Sequence, residues 1–464
     1  MLTKIVQIMG LVQLKCNPDH LKYLSETLQN HYGKDKLVTL NCKSNAGNFT
    51  YDGIDVGAER AVKEIRAFSK KLNEDGQPIT KFSIVGYSLG GLLARYVIGC
   101  LDHDGFFQSI KPVNFTTFAT PHLGTRTPLT LWTSHVFNTF GPKIVSASGQ
   151  QLFVMDEFRD TKMPLLEIMT DPDSIFMRAL AKFEVKTIYA NILNDRLAHF
   201  YTTAISASDP YAEADLNKLK YNYVEGFEPI VIDGRNPCEP LKEGETPIHT
   251  PTYLETIGSS ARKVATVCAI AIAAPIFATG LMATSAIETY RSQRRIRLHS
   301  NSEEALRLPN VIKKVASDLE DKVETIANSS PITDLTMPTM QQQDIATPNS
   351  SSSSSPDTSS TTLPASHTKQ PPTTTTTTTQ DSQEDDLEIL ERQLSHLPTP
   401  QLALLPSQFR MISHLDKIGL QKFHIYIHNT NWTHAAIVVR QPWRSAFGEG
   451  KTVVRHWIER QFVV

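Results

Sequence analysis

The chain has 464 residues, 20% of them charged and 40% hydrophobic, with a formal net charge of −2. That length leaves room for a large core in one or two domains, and the balanced charge excludes the basic footprint of a nucleic-acid binder. The five cysteines, Cys16, Cys42, Cys100, Cys238 and Cys268, are scattered, with no CxxC pair and no clustering with histidine. A zinc site and a disulfide framework are therefore not expected, and reducing cytosolic surroundings fit best. Residues 1–14 are only mildly apolar and include Lys4 and Gln7, so they do not read as a cleavable signal peptide.

In chain order, Leu21, Leu24 and Leu28 stand at helical spacing and predict a helix over 21–31. Residues 36–40 predict a short strand. Val56, Ala61, Ile65, Phe68 and Leu72 fall near one helical face, so 56–72 predicts a second helix, with Asp55 as its cap. Residues 81–85 predict an apolar strand, 91–98 continue as a helix, and 113–119 and 185–190 predict two further strands. Such alternation over residues 1–235 implies an α/β architecture, a mainly parallel sheet covered by helices.

Beyond that region the character changes. Residues 264–287 carry no charge and are flanked by Arg262 and Lys263 before, and by Arg291, Arg294, Arg295 and Arg297 after. The length suits a bilayer span. Pro275 removes a helical hydrogen bond at the middle and Gly280 follows, so a hairpin returning both basic ends to one anionic face stands beside a straight span. A buried core helix is the bland alternative. We read 258–298 as a membrane-anchoring segment. Residues 341–380 hold serine and threonine runs with only Asp344, Asp357 and Lys369 charged. They cannot bury enough apolar surface to offset ordering entropy, and 325–400 is expected to be a disordered linker. From about 413 order is expected to return. Phe423, Ile425 and Ile427 alternate with polar residues as on a half-buried strand, 435–439 is apolar, and 453–462 predicts a closing helix.

The sharpest motif is Gly86-Tyr87-Ser88-Leu89-Gly90. It follows a predicted strand and opens a predicted helix, the setting that a nucleophile elbow requires. Ser88 would be the exposed nucleophile, and the backbone N–H of Leu89 would face the oxyanion near the positive helix end. A serine hydroxyl needs a base, and the base an orienting acid, in the chain order Ser, Asp or Glu, His. Asp195, just past the strand 185–190, suits the acid, with Asp209 the next candidate. His434 suits the base, because it lies in a loop after the strand beginning at Phe423. His424 and His428 read as strand residues, His456 as part of the closing helix, and His122 comes too early in chain order.

These residues resemble the fungal putative serine esterases, a lipase-like α/β-hydrolase family. Further matches are Thr50-Tyr51-Asp52-Gly53-Ile54-Asp55, Ala119-Thr120-Pro121-His122-Leu123-Gly124, Tyr189-Ala190-Asn191 with Asn194-Asp195-Arg196, and Thr433-His434-Ala435-Ala436-Ile437-Val438-Val439-Arg440. The likeness covers roughly residues 17–300 and 413–464. It implies that Ser88, Asp195 and His434 form the catalytic set, without metal or cofactor. It also implies hydrolysis of glycerophospholipids or related lipid esters at a lipid droplet or the endoplasmic reticulum membrane, with the catalytic core facing the cytosol.

One departure stands out. The family opens with a strand ending in His-Gly-Leu-Trp-Gly, followed by Asn-Pro. Here Asn17, Pro18 and His20 fit, but the preceding residues are Met9-Gly10-Leu11-Val12-Gln13-Leu14-Lys15-Cys16. The loop that the His-Gly pair marks supplies a second oxyanion N–H, and losing one such donor costs on the order of 10²–10³ in rate. Gly10-Leu11 as a shifted remnant and a displaced chain start are the two explanations. The resulting expectation is an α/β-hydrolase core made of 1–235 and 413–464, interrupted by the anchor and the linker. A catalytically impaired membrane scaffold and a lipid acyltransferase using the same triad are the alternatives.

Overall fold

The computed structural model describes residues 2–10, 18–125, 146–159, 161–211, 216–241, 290–298 and 404–464. The apolar stretch 264–287 and the Ser/Thr linker lie outside them. Among the described residues nine strands are formed: β1 (Leu2–Gly10), β2 (Leu37–Asn41), β3 (Ile79–Ser88), β4 (Lys111–Phe118), β5 (Val185–Asn191), β6 (Leu219–Tyr221), β7 (Val231–Asp233), β8 (Cys238–Pro240) and β9 (Gln421–Ile425). Seven make one sheet in the order β2-β1-β3-β4-β5-β9-β7, while β6 and β8 pair separately. Every pairing in the large sheet is parallel except β7 against β9. This is the α/β-hydrolase arrangement, a mostly parallel sheet flanked by helices.

The sequence of β3 explains why both faces must be covered. Phe82 and Ile84 point into one apolar cluster and Val85 and Tyr87 into another, as the two-residue period of a strand demands. The first cluster is closed by helices α2 (Ile54–Glu74) and α3 (Leu89–His103). The second is closed by α1 (Lys22–Tyr32), through Leu24 and Leu28, and by the C-terminal helix Gly450–His456 with Trp457. Residues lining these clusters are mostly removed from solvent entirely.

Several elements differ from the sequence reading for identifiable reasons. The N-cap of α2 is Gly53, and Asp55 lies inside the first turn. There it complements the positive helix end and accepts a hydrogen bond from Gln151 Nε2 at 2.9 Å. β9 is buried on both faces: Phe423 and Ile425 sit in one cluster, and Tyr426 just beyond the strand in another. Its neighbour β7, only three residues long, turns it into an inner strand and gives no periodicity of its own to read. His428 lies past the end of β9 rather than within it. The helix Pro406–Asp416 begins before residue 413 and docks Gln408 Nε2 on Leu123 O at 2.9 Å.

β1 sits inside the sheet. It runs in register with β2 from Thr3↔Leu37 to Gln7↔Asn41, and with β3 up to Gly10↔Ser88. Chain direction switches sides at β1, since β2 lies on one flank and β3 on the other. The crevice at the carboxyl ends of β1 and β3 is the place where such sheets bind ligands.

The C-terminal segment is part of the core. Trp457 is fully buried, donates from Nε1 to Thr116 Oγ1 at 3.1 Å, and packs edge-on against Phe118 and Phe462. Asn114 grips the next turn, accepting from Val463 N at 3.0 Å and donating to Val463 O at 2.7 Å. Replacing Trp457 by alanine should destabilise the protein by about 3–5 kcal/mol. Equilibrium denaturation should register this as a lower midpoint with an unchanged slope.

Candidate active site

Ser88 ends β3 with φ 55° and ψ −133°, a region that costs a side-chain-bearing residue on the order of 1–3 kcal/mol. The turn closes only because its neighbours lack side chains. A Cβ on Gly86 would lie 2.3 Å from Gly91 Cα, and one on Gly91 would lie 2.1 Å from Thr120 Oγ1. The serine is thus held at the entry to α3. Leu89 N–H is one of the first amides of that helix, which have no partner within it.

The base arrives from the far end of the chain. His434 lies in the short helix Thr433–Ala436, which follows β9. Its Nδ1 is 2.9 Å from Asp195 Oδ2, and its Nε2 is 3.0 Å from Ser88 Oγ. An ionised carboxylate can only accept, so Nδ1 carries the proton and Nε2 accepts from the serine hydroxyl. All three side chains are buried. Tyr87 OH donates to His434 O at 2.8 Å, and Thr433 Oγ1 donates to Leu193 O at 2.9 Å. The loop leading to the histidine is held by Glu449, whose carboxylate accepts from His428 N at 2.7 Å and Asn429 N at 3.0 Å.

Asp195 follows β5 after a turn at Asn194, where φ is 58°. Its Oδ1 accepts from Leu197 N at 3.1 Å and Ala198 N at 3.0 Å; its Oδ2 accepts from Asn191 Nδ2 at 3.0 Å. Burial pushes this carboxyl up. The opposing charge on His434 and these donors outweigh burial and hold it below the ordinary carboxylate value.

The other candidates are engaged elsewhere. Asp209 accepts from Tyr211 N at 3.0 Å. His424 is 2.8 Å from Tyr211 OH, and burial pulls it down to about 3. His456 is 2.9 Å from Tyr189 OH and lowered by burial to about 4. His122 contacts Thr117 Oγ1 at 2.9 Å and is held well below its usual value by burial. His428 faces Glu449 at 3.3 Å. Asn191 and Thr433 stood inside motifs already singled out, whereas Glu449 carried no sequence signal. Gly10 pairs in register with Ser88, so β1 ends beside the nucleophile, where the family's His-Gly pair would end its strand. Among the described residues no group of three or more His, Cys, Asp or Glu is placed to hold a metal ion.

Residues 5–209 match the family model of the putative serine esterases, DUF676. Over those residues the chain is similar to this family. It is 29% identical over 336 residues to the putative lipase C4A8.10 of Schizosaccharomyces pombe, covering 67% of this chain and 40% of that protein. It is 32% identical over 165 residues to the putative lipase ROG1 of Saccharomyces cerevisiae, covering 35% and 23% respectively. The chain therefore spans well under two thirds of the length of these curated relatives. Among solved structures it is similar to phospholipase PlaB from Legionella pneumophila, with a TM-score of 0.27 at 13% identity over 45% of this chain and 42% of that one.

Two outcomes follow for this site. Gly91→Ala should force Thr120 and the elbow apart and lower both stability and reaction with serine-directed reagents, measured by denaturation and labelling rate. Because the Asp195 carboxyl is depressed in the folded state, its stabilisation is present above its unfolded value, about pH 3.9, and is lost as pH falls through the folded value. The stability gap between wild type and Asp195→Asn should therefore narrow between neutral and strongly acidic denaturation series.

Proposed function

We propose that this esterase hydrolyses lipid carboxylic esters, most specifically glycerophospholipids, at the surface of a lipid droplet or the endoplasmic reticulum membrane, with its catalytic core on the cytosolic side. The single observation carrying the chemistry is the line Ser88–His434–Asp195 set on a strained elbow, with both hydrogen bonds at 3.0 Å or less. His434 Nε2 takes the serine proton as Oγ attacks the ester carbonyl. Asp195 holds the Nδ1 tautomer and stabilises the imidazolium that forms. Leu89 N–H receives the oxyanion, and the end of β1 at Gly10, in register with Ser88, is the natural place for a second donor. The imidazolium returns its proton to the leaving alcohol. Water, activated by the same histidine, then releases the fatty acid from Ser88.

The lipid assignment is supported by the lipase names of the relatives and by the uncharged run 264–287 with basic residues on both sides. Such a run would keep the enzyme where an insoluble ester lies. Ser88→Ala should abolish release of fatty acid from phospholipid vesicles and end labelling by a fluorophosphonate. Asp195→Asn should lower kcat by roughly 10⁴ with its fold intact. Hydrolysis by Ser88→Ala near the wild-type rate would remove Ser88 from the mechanism.

A further inference from the structure

The loop after β2 contains a buried carboxylate unrelated to the triad. The Asp52 side chain is wholly removed from solvent. It receives Arg60 Nη2 at 2.7 Å from α2, and Arg295 from 243 residues away, through Nη2 at 2.7 Å and Nε at 3.0 Å. The Phe49 ring stacks against both guanidinium groups, with centroid distances of 4.8 and 5.4 Å. Ser292 Oγ donates to Tyr51 O at 3.1 Å. The loop is braced from below: Ser148 Oγ donates to Thr50 O at 2.6 Å, and Ile54 N donates to Gln151 Oε1 at 2.6 Å. A buried charge left with half its partners is costly. The fork geometry is specific to arginine.

Arg295 lies in residues 290–298, helical and starting three positions after the apolar run 264–287. This stretch holds four arginines and no acidic residue. Its Ser292 faces inward, while Tyr290 and Leu298 are 71% and 65% exposed. The clamp sits at the carboxyl end of the parallel strands, the end that carries Ser88. Exposed Phe49 follows β2, and Trp432, 70% exposed and two residues before His434, follows β9. Five inter-strand steps separate those two strands, about 24 Å at ~4.8 Å each, with β3 and its nucleophile between them.

We propose that the Asp52–Arg295 clamp is an orienting tether: it fixes the basic stretch following the apolar run to the nucleophile end of the sheet, so that this end, with Phe49 and Trp432, faces an anionic lipid surface. Cationic residues and an exposed indole on one side suit an anionic headgroup layer with acyl chains beneath. The inference rests on the lipid-surface reading above but not on its chemistry. Arg295 is here a positioning residue that contacts neither substrate nor triad.

The test uses the full chain and vesicles of phosphatidylcholine and phosphatidylserine with brominated acyl chains. The Trp432 contribution to fluorescence is the difference from Trp432→Phe. Wild type should float with the vesicles and show quenching of Trp432. Arg295→Ala should still float, through the apolar run, but lose that quenching; Arg295→Lys, which keeps the charge and most of the bulk, should lose most of it. Ser88→Ala should quench like wild type whether or not hydrolysis is detected, so failure of the chemistry leaves the tether standing. Absence of Trp432 quenching in wild type, or full quenching in folded Arg295→Ala and Arg295→Lys, would overturn the proposal.

Discussion

Gly86 packs so closely on Gly91, five residues later, that it cannot bear a side chain, and Thr120 bars one from Gly91. That contact lets β3 pass into α3 within a single residue, and the residue left at the corner is Ser88 in a left-handed conformation. Everything catalytic is then arranged around a hydroxyl that the backbone has already placed. Strain at the corner is tolerated because β3 is anchored in both apolar layers and α3 in one of them, which a local relaxation would have to disturb together.

The partners of that hydroxyl come from the ends of β5 and β9, so the site is assembled by sheet order and not by proximity in sequence. Asp195 has four donors and no spare freedom. A buried carboxylate in that setting stays ionised, and a fixed anion is what keeps the imidazole in one tautomer. The long chain between β5 and β9 adds little penalty, since closure entropy grows only logarithmically with loop length.

Legibility in the sequence followed physical type. Strands with an apolar run and helices with an apolar stripe could be read because burial imposes their period, as in β3 and α2. The elbow could be read because steric exclusion leaves glycine as the only residue at two positions. His434 was separable from the other histidines by chain order and by its position outside the predicted strand and closing helix. What could not be read depended on contacts made after folding. β7 is too short to show a period, and its presence is what buries both sides of β9. Glu449 stabilises a loop twenty residues earlier in the chain through backbone amides, which leave no trace in residue type. Arg295 looked like one of several basic flanking residues, and only the buried Asp52 distinguishes it.

Consecutive residues of the elbow hold the same histidine in two ways. Tyr87 takes its backbone carbonyl, and Ser88 faces its ring nitrogen. A fluctuation that carries the elbow carries the histidine with it, so the separation between nucleophile and base is insulated from breathing of the sheet between β3 and β9. The reacting pair is thereby tied together twice over, through main chain and side chain.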